Sequence, residues 1–285
     1  MGRGGVRGGV HGFTLPRSLA GLSGCTTHNG GVIASLDTSP RVPRADLRMQ
    51  ILLVLGMSLG ASAVYSVLDL VEMAVQSSIA ESSTTLNQPL SPVPVIDALR
   101  RLTSICFAIV PVVLALWFLA GTTSRIPAVL RGIGADARRP GHDAARGLAL
   151  FAVMGGGTLV LYQAGRALGI TAEITTSTLE NTWWTVPLLL LTALRHALVE
   201  EIIVVAFLAE RMRRLGRSWW TVAIVSSVLR ASYHLYQGVG PALGNLVMGL
   251  VFVWCYRRYG RVMPLLVAHF LLDAVGFLAP QLLAG

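Results

Sequence analysis

WWTVPLLLLTALRHALVEEIIVVAFL, residues 183–208, decides the fold class. It is an apolar run of the length needed to cross a ~30 Å hydrocarbon core as a helix, which takes about 17–25 residues. Working outward, similar runs occupy 51–71, 102–120, 147–168, 219–237, 239–256 and 262–282. The run at 51–71 continues in the same character toward Ile79, and the runs on either side of Gly238 and Gly240 nearly touch, which predicts a tight helical hairpin. The expected fold is all-α: a polytopic transmembrane helix bundle of about seven membrane-spanning helices. Composition agrees. Of 285 residues, 53% are apolar and 13% charged, with mean hydropathy +0.64. Ordinary soluble domains carry about 25% charged residues. A disordered chain, a coiled coil and a typical soluble enzyme are excluded.

The net charge of +9 comes from 23 basic and 14 acidic residues, and every basic one is Arg. Their placement argues against nucleic acid as a partner. They sit in a Gly-rich tail and in alternate loops: Arg41, Arg44 and Arg48 before the first run; Arg125, Arg131, Arg138, Arg139 and Arg146 after the second; Arg211, Arg213, Arg214 and Arg217 after the fourth; Arg257, Arg258 and Arg261 after the sixth. The opposite loops hold Glu81, Asp97, Glu173 and Glu180, with Arg100 and Arg101 against the trend. The positive-inside rule then puts the N-terminus inside and the C-terminus outside. Trp183, Trp184, Trp219 and Trp220 mark run ends, as interfacial aromatics do. Cys25, Cys106 and Cys255 show neither metal-ligand spacing nor a disulfide framework. Residues 1–48 read as a disordered Gly/Arg-rich tail, with Met49 a second candidate start; 49–180 hold the N-terminal membrane helices, and 181–285 a catalytic helix core.

Charge within a bilayer costs at least ~2.5–3.5 kcal/mol per residue, so intramembrane ionisable groups are functional candidates. The run at 183–208 holds Arg195, His196, Glu200 and Glu201; the next holds Arg230 and His234; the last holds His269 and Asp273. Asp69 and Glu72 near the outer end of the first run read as interfacial. Residues four apart share a helix face. His196 pairs with Glu200, Arg230 with His234, and His269 with Asp273, so three helices each present a polar stripe. If the stripes converge, they enclose a wet pocket. A Glu beside a His can take a proton from water, and a second His can stabilise the resulting oxyanion. Glu and His are equally suited to zinc. Buried ion pairs joining helices are the structural alternative. Two adjacent carboxylates at 200 and 201 repel each other, and a structural role rarely needs both.

Three segments in order carry a family resemblance: VEEIIVVAFLAERMRRLG (199–216), VLRASYHLYQGVGPALGNLVMGLVF (228–252) and GRVMPLLVAHFLLDAVGF (260–277). Glu-Glu on one helix, a His on the next, and His-x-x-x-Asp/Asn on a later one resemble the CPBP family. These are intramembrane proteases of the CAAX and bacteriocin-processing type, also called Abi. The resemblance covers roughly 180–280. It implies that Glu200 activates the hydrolytic water, His234 helps hold it, His269 and Asp273 bind the scissile carbonyl and its oxyanion, and Glu201 supports the site. It implies an endopeptidase acting near the C-terminus of a membrane-associated peptide or protein, in contact with membrane lipid. A divalent metal such as zinc, held by Glu200, His234 and His269, and a metal-free Glu/His mechanism both fit. The expected location is integral to a bacterial plasma membrane.

Two positions depart from the family pattern. Glu-Glu-x-x-x-Arg has Val205 in its last place, and Phe-x-x-x-His has Arg230 in its first. Arg230 is expected to supply the counter-charge that the missing Arg would give Glu201. Depth arithmetic adds a tension. At 1.5 Å per residue, Glu200 lies ~12 Å from the inner end of its run but His234 lies ~22 Å from Trp219. Two competing readings are a proton-coupled transporter and a non-catalytic immunity or scaffold protein. The transporter would spread polar groups through many helices, and the first three runs are poor in them.

Overall fold

A computed structural model describes residues 42–76, 79, 81–176 and 182–283. Each apolar run lies in a helix. In chain order they are α1 (Arg44–Gln76), α2 (Pro94–Ala120), a short α3 (Ile126–Gly132), α4 (Pro140–Ala167), α5 (185–214), α6 (Trp219–Ser232), α7 (Val239–Tyr259) and α8 (Met263–Leu283). The all-α expectation therefore holds. Among the described residues, four helices are long and apolar enough to cross a membrane: α1, α2, α4 and α7. The other three of the expected seven differ for physical reasons. α5 interrupts its apolar length with Arg195, Glu200 and Glu201, α6 has 14 residues and so measures only ~21 Å, and the apolar part of α8 is Met263–Leu278. α1 starts at Arg44, so the last residues assigned to the tail are helical; Pro43 precedes the helix, and Asp46 lies in its first turn. The rest of the predicted disordered tail lies outside the described residues.

α5 is the axis of the bundle. Every residue from Val199 to Met212 is buried, with α1, α2, α6 and α7 around it. Enclosure on every side suits its apolar residues and carries Glu200, Glu201, Glu210 and Arg211 into the interior with them. The outer helices instead leave apolar side chains exposed, among them Val64, Leu68 and Val75 of α1 and Val153, Leu159 and Val160 of α4. Exposed apolar bands of this kind are what a lipid environment requires.

Two features place the helices that carry the polar stripes. On the Arg-rich side, Arg261 grips Asp143 with both ends of its fork, Nε to Oδ1 at 2.8 Å and Nη2 to Oδ2 at 2.6 Å, and donates to the Asp136 carbonyl at 2.9 Å. The Val262 N–H donates to Ile133 O at 2.9 Å. These bonds fix the start of α8 against the α3–α4 loop. Between α6 and α7, Gly249 permits close approach: a Cβ there would lie 2.8 Å from Ser227 Cα. Small residues at such crossings let helix backbones touch. Gly249→Val is expected to lower stability by about 1–3 kcal/mol through overpacking, read as a lower thermal unfolding midpoint in detergent. An unchanged midpoint would show that the crossing tolerates a side chain.

The hairpin expected at Gly238 is looser than the sequence suggested. α6 stops at Ser232, and a turn with a 3₁₀ segment, Leu235–Gln237, leads to Gly238 at φ 94°. Three elements pin this turn. Ser66 of α1 donates to Tyr233 O at 3.1 Å, Thr84 donates to Tyr236 O at 2.8 Å, and Val239 N–H donates to Ile170 O at 2.9 Å. Thr84 belongs to β1 (Ser83–Leu86), which pairs in parallel with β2 (Glu173–Thr176), a two-stranded patch that apolar periodicity did not reveal. α5 continues as helix through Leu208–Arg214, so Glu200 lies ~21 Å from its inner end, close to the ~22 Å of His234, while His269 lies ~9 Å from the start of α8 at Met263.

Candidate active site

Glu200 and Glu201 open a π-helical stretch, Val199–Phe207, inside α5. An i→i+5 ladder places more residues on each turn and narrows the angle between neighbours, and such segments are frequent at functional sites. Adjacent side chains can thus face the same partner. Ser226 of α6 donates to Val204 O at 2.8 Å, so a neighbouring helix satisfies a carbonyl within the stretch.

That shared partner is Arg230 of α6. Its Nη1 donates to Glu200 Oε2 at 3.0 Å and its Nη2 to Glu201 Oε1 at 2.7 Å. Arg230 and Glu201 side chains are fully buried, whereas that of Glu200 retains 9% exposure. The difference separates their chemistry. Glu200 Oε2 also accepts from the Tyr233 hydroxyl at 2.7 Å, while its Oε1 has no partner among the described residues. Glu201 Oε2 is buried without a partner. One carboxylate is anchored with an oxygen still reachable; the other is sealed.

The imidazoles complete the cluster. His269 Nδ1 lies 2.6 Å from Glu201 Oε1, and its Nε2 lies 3.8 Å from Asp273 Oδ2. Asp273 Oδ2 is also 2.9 Å from His196 Nδ1, and His196 Nε2 contacts Arg195 Nη2. Arg195 can only donate, so the His196 Nε2 accepts and its Nδ1–H points to Asp273. His234 sets Nδ1 2.9 Å from Arg230 O. A carbonyl only accepts, so the proton is on Nδ1 and Nε2 is left with its lone pair. His234 is within charge-interaction range of both Glu200 and His269. The three stripes therefore converge, with one change: His196 turns to Asp273 rather than to Glu200.

Residues 182–275 match the family model of type II CAAX prenyl endopeptidase Rce1-like. The match supports the CAAX-type protease family for this segment. No curated protein and no solved structure matches the chain significantly. The match supports a CAAX-type intramembrane protease at the level of the family, and together with the apolar helices it supports an integral membrane protein.

Within the CAAX-type core, the two departures from the family pattern meet at one place. Val205 is fully buried in the π segment, and the guanidinium reaches both carboxylates from α6 instead. The metal expectation changes as well. Glu200, Glu201 and His269 form a buried group with ligand atoms within 4.8 Å of one another, a donor set that could hold a metal ion. His234, expected as a ligand, is outside this group. Yet both carboxylates already face Arg230. A metal held there would share both carboxylates with the guanidinium.

Tyr233 supports the site by holding Glu200, a contact between helices that four-residue spacing within one helix does not encode. His196 takes a hydrogen-bonding role, on Asp273. Tyr236 OH accepts from Gln237, and Asn245 donates to Pro241 O within its own helix, so both are peripheral. Glu72 pairs with Gln76 on the exposed side of α1, in keeping with its interfacial reading.

Proposed function

We propose that the chain is an intramembrane endopeptidase of a bacterial plasma membrane that cleaves a membrane-associated peptide or protein with a water activated by Glu200. The observation that carries this reading is the asymmetry of the two carboxylates: Glu200 Oε2 is fixed by Arg230 and Tyr233 while its side chain keeps 9% exposure, within charge-interaction range of His234 and His269, and Glu201 is sealed. Glu200 Oε1 takes a proton from water. His234 Nε2 accepts the other water hydrogen and orients the nucleophile. The water oxygen bonds to the scissile carbonyl carbon. His269, doubly protonated, donates from Nε2 to the oxyanion that forms. The C–N bond then breaks, and Glu200 passes its proton to the leaving amine. Asp273 holds His196 at 2.9 Å and stands 3.8 Å from His269 Nε2, so it orients the imidazoles rather than binding the oxyanion. Glu201 orients His269 from the other nitrogen. The mechanism uses no metal.

The full chain in lipid nanodiscs, incubated with prenylated and unmodified peptide libraries, should yield new termini detectable by mass spectrometry. Cleavage should persist in chelator, and elemental analysis of active protein should find far less than one zinc per chain. Loss of activity in chelator with recovery on adding zinc would overturn the metal-free mechanism. Absence of any cleavage would favour a non-catalytic scaffold.

A further inference from the structure

Beyond its midpoint α1 hardly enters the protein. Of residues 61–76 all but one keep some exposure, and the exception is Ser66 at 4%. A hydroxyl is a costly group to bury from an apolar helix unless it finds a partner. Serine in such a helix commonly donates back to the carbonyl four residues earlier. Ser58 of the same helix does so, to Val54 O at 2.7 Å. Ser66 instead reaches across to α6, donating to Tyr233 O at 3.1 Å.

That carbonyl needs a donor. Helix ends leave their last carbonyls without helical partners, and α6 stops at Ser232. In a continuing helix Tyr233 O would accept from Gln237 N–H, which here donates to His234 O at 3.1 Å. Thr84 donates to Tyr236 O and Ile170 O accepts from Val239 N–H, so the far end of the turn is held from those two elements. Ser66 holds the near end, and the near end carries the chemistry. The Tyr233 hydroxyl donates to Glu200 Oε2 at 2.7 Å. Tyr233 is buried, and a phenol ring has only two side-chain torsions, so a shift of its backbone becomes a shift of its hydroxyl. We infer that Ser66 is a positioning residue for the peptidase: by fixing the Tyr233 backbone it sets the Tyr233 hydroxyl on Glu200 and so aims the water activator. This rests on the peptidase reading above. It makes α1, which lies outside the matched segment 182–275, part of the reactive geometry.

The test compares wild type, Ser66→Ala, Tyr233→Phe and the double variant, as full chains in nanodiscs, on a farnesylated fluorogenic peptide. Ser66→Ala should lower kcat about fivefold, the size of one hydrogen bond, with KM nearly unchanged. In the Tyr233→Phe background the same change should cost little, because the route to Glu200 is already cut. Additive losses would mean that Ser66 only stabilises the fold, and would overturn the assignment. A second readout needs no cleavage. In protein labelled with fluorotyrosine, the fluorine NMR resonance of Tyr233 is the one lost in Tyr233→Phe. Ser66→Ala should shift it, and Ser58→Ala should leave it in place. An unmoved resonance in Ser66→Ala overturns the assignment even if activity falls. A shifted resonance in a protein that cleaves nothing keeps the positioning and removes the peptidase reading; cleavage that Ser66→Ala leaves unchanged does the reverse.

Discussion

Glu200→Gln is expected to lower kcat/KM by roughly 10²–10⁴-fold, the usual contribution of a positioned general base. The amide keeps the volume of the carboxylate and can still accept from Tyr233, while Arg230 keeps its bond to Glu201. The unfolding midpoint should therefore move little, and the loss should appear in kcat. Glu201→Gln provides the contrast. Glu201 is sealed, with one oxygen on Arg230 and His269, so its loss should disturb His269 placement and stability together. Cleavage that survives Glu200→Gln would remove it as the water activator.

The largest stability effect is expected at Arg230. Arg230→Phe restores the common family residue but strands two carboxylates in the core. Breaking a buried pair by removing one partner costs about 3–5 kcal/mol, and here one partner serves two charges. Thermal unfolding in detergent should show a large drop, with low yield of folded protein. The double variant Arg230→Phe with Val205→Arg should recover part of both stability and activity. Position 205 is four residues beyond Glu201 and five beyond Glu200 within the widened turn, so a long side chain there can reach the same carboxylates. If the double variant is no better than Arg230→Phe alone, the idea of a relocated guanidinium fails.

Apolar run lengths and four-residue spacing made much of this legible in advance. They located the helices, and they paired His269 with Asp273 on the face that meets Glu201. What they missed follows from what spacing can encode. A π segment lies in backbone pairing, and VEEIIVVAF reads the same in either helical form. The inner end of α5 was misplaced because Glu210 and Arg211 look like a loop, yet both are buried in helix, with Tyr256 donating to Glu210 at 3.3 Å and Arg211 lying over Phe207. The β1–β2 pair joins segments ninety residues apart, and no local pattern announces such a contact. The change of partner at His196 depends on how α5 and α8 are rotated against each other, which only packing decides.

The stretch from Val199 to Met212 is at once the reactive turn and the keystone of the bundle. Chemistry and architecture have no separate territory there. Drift in that stretch would register as a falling cellular level of the protein as well as slower turnover, so abundance becomes a readout of how intact the reactive centre is.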